Sequence, residues 1–277
     1  MLHFISCNDN DKDNSINIEQ IFHDSEKASN TNQKFYLYHY MPFSALLLCN
    51  KDRDKLYLRC IEKWNDPYET RLFNTDIKDK TTGSTFTYPL RKQVYGACFT
   101  TGYNAEGQWK VYESPQDGPR VLITLEISEF FNALRNDKDH DFYVGFVSYH
   151  KQQQINSQIN QLIQQNPEVY KRTHDLTPED YKNLLKPLFI KRQAFSYERE
   201  VRIIMVDKSS SSDAIKISLG SGNSFTSLIK SITLSPYASE SWIASQKALL
   251  KYAFPAKKIR CNYLLKKIEK PKPIIIN

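Results

Sequence analysis

The feature that most constrains the fold is a succession of short runs rich in aromatic and β-branched residues, each bounded by turn-forming residues. Runs of this kind are typical of β-strands. In chain order they read KFYLYHY, KLYLR, QVYGACFTTG, RVLITLEI, DFYVGFVSYH, FSYEREVRIIMV, AIKISL, SLIKSITLSP and KIRCNYLL. Segments with helical patterns separate several of them. This order predicts an α+β fold with a mixed or antiparallel central sheet and flanking helices.

Helical signals follow the first strand and recur in the second half of the chain. PFSALLLCN begins with Pro42, which suits the first turn of a helix. Across residues 152–172, isoleucines at every fourth position place a narrow apolar stripe on a polar helix. Thr177 is a suitable N-cap for another helix, because Pro178 follows at the first helical position. SESWIASQKALLKYAF is expected to form the last helix.

Composition sets the expected boundaries of the domain. Residues 1–34 are rich in Asn, Asp, Lys and Ser, which predicts a flexible or loosely docked segment. Residues 35–270 are expected to form a single α+β domain, and residues 271–277 a tail. No stretch approaches the roughly 18 consecutive apolar residues of a membrane helix, and the N-terminus lacks the pattern of a secretory signal. We therefore expect a cytoplasmic protein without a membrane partner.

Charge and cysteine usage narrow the choice of ligands. The formal net charge of +7 favours acidic partners such as DNA or RNA. The five cysteines are scattered without a CxxC pair, so neither a disulfide framework nor a cysteine zinc site is indicated. No other ligand cluster has a recognisable metal-binding spacing, and neither a Rossmann nor a P-loop phosphate motif is present. We expect no metal.

Two glutamates stand two residues apart in FSYEREVRIIMV. Side chains alternate between the faces of a strand, so Glu198, Glu200 and Arg202 are expected on one face, neighbours lying about 6.6 Å apart along the chain. Paired carboxylates at a cleft hold substrate hydroxyls, stabilise a developing cation or act as acid and base. The alternative is an exposed strand end, in which Glu200 pairs with Arg202 or Arg192 and contributes little stability.

Several motifs occur in a characteristic order: LYHYMPFSALL, KWNDPYE, ACFTTG, QWKVY, FSYEREVRII and ITLSP. Together they resemble a widespread bacterial family known only as a domain of unknown function, over about residues 35–262. The most specific parts are the NDPYE turn, residues 65–69, and the YEREVR segment, residues 197–202. The family often has a His before the Tyr of its Trp-x-x-Tyr segment. Here Val111 precedes Tyr112, so any role of that His is missing.

The YHY strand and the short helix after it also resemble the opening of ADP-ribosyltransferase toxins that modify nucleic acid. In that superfamily the first strand carries a His or Arg, the second an aromatic residue with Ser or Thr, and a later strand a Glu, often as Glu-x-Glu. The matching positions in this sequence are His39, Phe99 with Thr100 and Thr101, and Glu198 with Glu200. This resemblance implies a split-sheet ADP-ribosyltransferase-like fold.

The same resemblance implies an activity: cleavage of NAD and transfer of ADP-ribose to a macromolecule such as nucleic acid, in a toxin or phage-defence role with an antitoxin or other defence partner. Glu200 would stabilise the oxocarbenium-like ribose, and Glu198 would orient or deprotonate the acceptor. His39 would hydrogen-bond the adenosine ribose or the nicotinamide amide. Tyr40 or Tyr112 would stack on the nicotinamide ring. NAD is thus the expected substrate.

The residues also allow a non-enzymatic nucleic-acid- or protein-binding module in which Glu198 and Glu200 are structural. Basic residues would then contact nucleic acid from KRQ at residues 191–193, from Lys257, Lys258 and Arg260, and from KKIEKPK at residues 266–272. A solvated basic face is the commoner explanation for scattered lysines. Without the resemblance, His39 on an aromatic-rich strand is more typical of a hydrogen-bonded core histidine. Cys98 lies in an apolar strand, which favours an inert buried thiol over a nucleophile.

Overall fold

A computed structural model describes residues 1–6, 17–27, 34–51, 55–64, 66–112, 118–172, 174–219 and 224–262. Its strands are β1 (Leu2–Phe4), β2 (Tyr36–Pro42), β3 (Leu56–Cys60), β4 (Ile77–Lys78), β5 (Thr85–Phe86), β6 (Val94–Thr100), β7 (Arg120–Glu126), β8 (Phe142–Phe146), β9 (Ser148–His150), β10 (Ile190–Arg192), β11 (Glu200–Val206), β12 (Ala214–Ile217), β13 (Ile229–Leu234) and β14 (Lys258–Arg260). Its helices are α1 (Ile18–Lys27), α2 (Phe43–Lys51), α3 (Glu106–Tyr112), α4 (Ile127–Arg135), α5 (Gln152–Gln165), α6 (Pro167–Lys171), α7 (Pro178–Leu185), α8 (Phe225–Leu228) and α9 (Glu240–Ala253).

The central sheet has ten strands. Its main path runs β1-β8-β11-β6-β2-β7-β13-β14, with β3 attached to β6 and β12 to β3. Most neighbouring strands are antiparallel, but β1 runs parallel to β8 and β14 runs parallel to β13. The sheet is therefore mixed. The predicted α+β fold with a mixed central sheet and flanking helices is confirmed.

The sheet divides between β2 and β6. These two strands are joined by one residue pair, Tyr38 opposite Thr100. By contrast, β2 pairs with β7 over the whole of Tyr36–Pro42, and β6 pairs with β11 over the whole of Val94–Thr100. The backbone hydrogen bonds given up at the division leave room for side chains between the two halves. The expectation of a split sheet is thus confirmed by the strand pairing.

Both faces of the sheet are covered, which explains why β11 reads as a nearly continuous apolar run. Val201, Ile203 and Met205 belong to one buried cluster with the helix α4. Ile204 belongs to a second cluster on the other face, with residues of α7 and the turn after it. The face with Ile204 also carries Glu200 and Arg202, so a one-residue slip would move these charged side chains into the apolar cluster, and this fixes the register of β11.

The described residues before position 34 contribute to this core. β1 pairs with β8, and α1 buries Ile18 and Phe22. The Phe22 ring packs against Phe4 at 5.8 Å and Phe131 at 5.6 Å between centroids. The boundary expected at residue 34 stays a prediction, whereas the expected tail at residues 271–277 lies outside the described part of the chain.

Several predicted elements differ in detail. DFYVGFVSYH forms two strands, β8 and β9, because β9 leaves the central sheet to pair with β10. The long polar helix breaks into α5 and α6 at Asn166, since Pro167 disfavours a helical residue before it. The N-cap at Thr177 is confirmed by a capping box with Asp180. Gly220 and Gly222 also predict a turn between AIKISL and SLIKSITLSP, and these two residues lie outside the described ranges.

In the ranges that the structure describes, no helix combines the length and the apolar character needed to cross a bilayer.

Replacing Phe22 with Ala tests whether α1 is an integral part of the core. The ring is 1% exposed, so its removal should lower the free energy of unfolding by about 3 kcal/mol. Gln20→Ala, on the exposed side of the same helix, should leave it nearly unchanged. Urea denaturation of both variants makes the comparison. Equal, small effects would mean that α1 is only loosely docked.

Candidate active site

The candidate site lies where the sheet divides. Strand register places Tyr38 of β2, Thr100 of β6 and Glu200 of β11 side by side in one row across three strands. The helix α3 contacts β2 beside this row. Because paired residues of adjacent strands share a face, these side chains converge at the division.

A cavity of about 80 Å³ occupies this position. Its lining residues are Tyr38, His39, Tyr40, Cys98, Phe99, Thr100, Tyr112, Glu198 and Glu200. The structure therefore brings together every predicted site residue except Thr101. Thr101 lies just beyond β6, where its main-chain N–H donates to the Arg199 carbonyl at 3.2 Å, and it does not line the cavity.

His39 spans the division of the sheet. Its Nδ1 lies 2.7 Å from the carbonyl oxygen of Cys98. A carbonyl only accepts, so Nδ1 carries the proton. Burial lowers the pKa of His39 and keeps the ring neutral at neutral pH, which leaves Nε2 as an acceptor. Burial raises the pKa of the Cys98 thiol well above its ordinary value, as expected for an inert thiol rather than a nucleophile.

Aromatic rings form one wall of the cavity. Tyr40 stacks on Tyr112 with centroids 5.6 Å apart and meets the edge of Trp109 at 4.9 Å. The Trp109 indole donates to Asn104 at 2.7 Å, which anchors α3. The two predicted stacking residues thus contact each other. Val111 is 54% exposed and does not line the cavity, so the position of the missing His faces outward.

Behind the cavity lies a buried network of five charged side chains. Lys191 Nζ contacts Glu69 at 3.0 Å, Glu198 at 2.7 Å and Glu200 at 3.1 Å. Arg202 donates to both carboxylate oxygens of Glu200, at 2.8 and 3.2 Å, and also to Glu69. Each of the five side chains is at most 9% exposed. Three carboxylates face two cations, which leaves one net negative charge when all five are ionised.

The NDPYE turn delivers Glu69 to this network. The Asp66 side chain accepts from the Tyr68 N–H at 2.9 Å, and its carbonyl accepts from the Glu69 N–H at 3.0 Å. Arg192 donates to the other carboxylate oxygen of Asp66, Oδ2, at 3.1 Å. Asp66 therefore shapes the turn, while Asn65 lies outside the described residues.

Glu198 lies in a turn before the strand, and not within the strand as the sequence predicted. Residues Gln193–Glu198 form 3₁₀ turns, Arg199 takes a left-handed conformation with φ 44°, and the strand begins at Glu200. The Glu198 carbonyl accepts from Thr100 Oγ1 at 2.5 Å and from Gln108 Nε2 at 2.9 Å. The prediction of one continuous strand from Phe195 was wrong, but the two carboxylates still meet, on Lys191.

The surroundings of Glu198 and Glu200 shift the pKa values of the two carboxyls in opposite directions. Burial raises the pKa of Glu200, but the charges of Arg202 and Lys191 outweigh it and hold that pKa at about 2. Burial also raises the pKa of Glu198, and here the single charge of Lys191 does not reverse the shift. Glu200 is therefore a permanent anion at neutral pH, whereas Glu198 is the better proton acceptor.

Two sequence-based alternatives are corrected by these contacts. The glutamates do not mark an exposed strand end, since both are at most 3% exposed, and Arg192 pairs with Asp66 rather than with Glu200. The KRQ segment is not a solvated basic face, because Lys191 is held by three carboxylates. The expected pairing of Glu200 with Arg202 is confirmed.

Sequence reasoning did not assign Lys191 to the site. The motifs did contain a signal for such a residue. They hold three glutamates and only one arginine, and a charge imbalance of this kind is costly when it is buried. A second cation was therefore required nearby. Its position was hidden because β10 is only three residues long and no periodic pattern marks it. Among the described residues, no group of three or more His, Cys, Asp or Glu side chains is arranged to hold a metal ion.

The chain is similar in sequence to a known family and in structure to a solved protein. The sequence profile of the family described as "Protein of unknown function (DUF2971)" matches residues 108–203, which confirms the resemblance to an uncharacterised family over that stretch. No curated protein matches the chain in sequence. The solved structure "Thermus sp. 2.9 DarT in complex with NAD+" is similar to this protein, with 13% sequence identity and a TM-score of 0.36. The alignment covers 83% of this chain and 96% of the DarT chain.

Lys191→Met tests the charge network. Removing the cation leaves three buried carboxylates with Arg202 alone, which should cost about 3 to 5 kcal/mol of unfolding free energy at neutral pH. Burial already raises the pKa of Glu198, and without the opposing charge of Lys191 that pKa should rise further above its unfolded value. The loss should therefore shrink as the pH falls and Glu198 is protonated.

The matched control is Lys110→Met, because the Lys110 side chain is 62% exposed in its pair with Glu106. Chemical denaturation should show it nearly as stable as the wild type at every pH. Equal behaviour of the two variants would contradict a buried network.

Proposed function

We propose that this protein is an ADP-ribosyltransferase-like enzyme that cleaves NAD and transfers ADP-ribose to a macromolecule. One observation carries the proposal. Seven residues chosen from sequence resemblance for this chemistry line a single cavity at the division of the sheet: His39, Tyr40, Phe99, Thr100, Tyr112, Glu198 and Glu200. These residues come from five separate elements, so a chance grouping is a poor explanation.

The charge network suits the cleavage step. When the bond between nicotinamide and ribose breaks, its electron pair leaves with nicotinamide and positive charge develops on the ribose. Glu200 stays ionised beside the cavity, and the network's net negative charge lies in surroundings that screen it weakly. The anion interacts more strongly with the transition state than with the neutral ribose, which is the condition for catalysis.

The second carboxylate suits the transfer step. The acceptor must lose a proton as its oxygen or nitrogen forms the new bond to the ribose carbon. Glu198 lies beside Glu200 and has the higher pKa of the two, so it is the better base. His39 Nε2 is left as an acceptor for a ribose hydroxyl or for the nicotinamide amide. Each carboxylate thus has a separate role.

The size of the cavity limits which part of NAD it takes. About 80 Å³ is well below the roughly 300 to 1,000 Å³ of sites that enclose a drug-sized ligand. The space suits a single ring, so we assign it to the nicotinamide end. The remainder of the dinucleotide then lies outside it.

A second candidate function is favoured by one observation. Both oxygens of Glu200 are bound by cations of the protein itself, and the residue is 2% exposed. This is also what a purely structural ion network requires. The protein would then be a nucleic-acid- or protein-binding module with no NAD cleavage.

The proposed setting follows from the same resemblance. We infer a cytoplasmic toxin or phage-defence effector with nucleic acid as the acceptor and an antitoxin as a partner. Growth of bacteria that express the wild type or Glu200→Gln tests this role. An active toxin should arrest growth as the wild type and should not arrest it as Glu200→Gln.

Nicotinamide release from NAD separates the two candidate functions. Wild type, Glu200→Gln and Glu198→Gln are compared with and without total RNA, DNA and protein as acceptors. Glu200→Gln should reduce release by about 10³-fold through loss of charge stabilisation. Glu198→Gln should reduce transfer by about 10²-fold through loss of the base.

Glu168→Gln, on the exposed surface of α6, is the matched control and should retain full activity. Circular dichroism establishes that each variant is folded. No release in any mixture by folded wild type would support the binding module.

A further inference from the structure

A second cavity of about 610 Å³ lies beside the first. Tyr38, in the wall of the first cavity, contacts the ring of Tyr103, in the wall of the second, at 5.1 Å between centroids. Lys247, Lys258 and Arg260 are among the residues that line this second cavity, and no described lining residue is acidic. Within the described ranges, none of these three cations forms an ion pair.

Polar residues connect the two cavities across the sheet. Strand register places Thr100, Tyr38, Thr124, Ser231 and Lys258 in one continuous row. Thr124 and Ser231 are 7% and 2% exposed, and their hydroxyls bond each other at 3.0 Å. A row of hydroxyls is unusual at positions where a sheet normally buries apolar side chains. The face between the cavities is therefore built for polar contacts.

One buried group in the second cavity has an unmet hydrogen-bonding need. Thr233 lines the cavity and is 1% exposed, and its hydroxyl has no hydrogen-bond partner among the residues that the structure describes. It lies opposite Arg260 in the register of β13 and β14. Since buried hydroxyls are nearly always satisfied, a ligand oxygen is a reasonable partner.

We propose that this second cavity binds the diphosphate of a nucleoside diphosphate moiety. Three cations line one cavity, which matches the two to three charges that a diphosphate concentrates in one place. A nucleic-acid strand carries one charge per nucleotide and calls for cations spread along a groove. Tyr103 is 47% exposed at the rim, where its ring is available to stack on a base. The volume also lies within the roughly 300 to 1,000 Å³ of small-molecule sites.

The proposal goes beyond NAD cleavage and does not depend on it. ADP has no nicotinamide, so its binding is measured without turnover. Either proposal can fail while the other holds. Titration calorimetry with ADP and with adenosine, which lacks phosphate, isolates the contribution of the diphosphate.

ADP should bind the wild type at least about tenfold more tightly than adenosine. The double variant Lys258→Gln/Arg260→Gln should lose about tenfold or more in ADP affinity with adenosine unchanged. Both side chains are exposed, so the variant should fold. Lys251→Gln, an exposed lysine of α9 outside the cavity, is the matched control and should bind ADP normally.

Two further arms identify the source of the phosphate. NAD that displaces ADP assigns both cavities to one dinucleotide, whereas NAD that binds together with ADP assigns the second cavity to a separate nucleotide. Equal affinities for ADP and adenosine would overturn the proposal, as would a double variant that binds ADP normally. The proposal would also be overturned, in favour of a nucleic-acid site, if ADP did not bind and a short oligothymidylate bound in a way that required Lys258 and Arg260.

Discussion

The buried contacts of Lys191 and Arg202 with three glutamates join the segments that form the candidate site. Glu69 comes from the NDPYE turn, Lys191 from a short strand, and Glu198 and Glu200 from a turn and the strand after it. Removing one partner from such a network leaves an uncompensated charge away from water. The interactions that hold these segments together are thus the same ones that set the charge of the cavity.

The division of the sheet has an analogous double role. Full pairing of β2 with β6 would satisfy more backbone groups but would close the cavity. One residue pair remains, and His39 compensates in part by donating to the Cys98 carbonyl. That bond fixes the ring's tautomer and leaves its other nitrogen as an acceptor. The local loss of regular structure therefore creates both the space and the polarity of the site.

The sequence predicted the strands well because aromatic and β-branched alternation is a local property, as in β2 and β7. It also predicted which residues converge, since the motif resemblance pointed to His39 and the glutamates. It did not predict the turn before Glu200, because a left-handed Arg199 depends on tertiary contacts. Nor did it predict Lys191 as a site residue, because a buried lysine is identified only once its three partners are brought together.

The charge network gives the two glutamates different roles, Glu200 as a permanent anion and Glu198 as a proton acceptor. Carbon-13 NMR titration of the glutamate side-chain carboxyls, assigned with Glu198→Gln and Glu200→Gln, measures this directly. Glu200 should titrate with a pKa of about 2 and Glu198 with a pKa above the ordinary value of 4.5. If the two glutamates titrate together near 4.5, the network does not separate their roles.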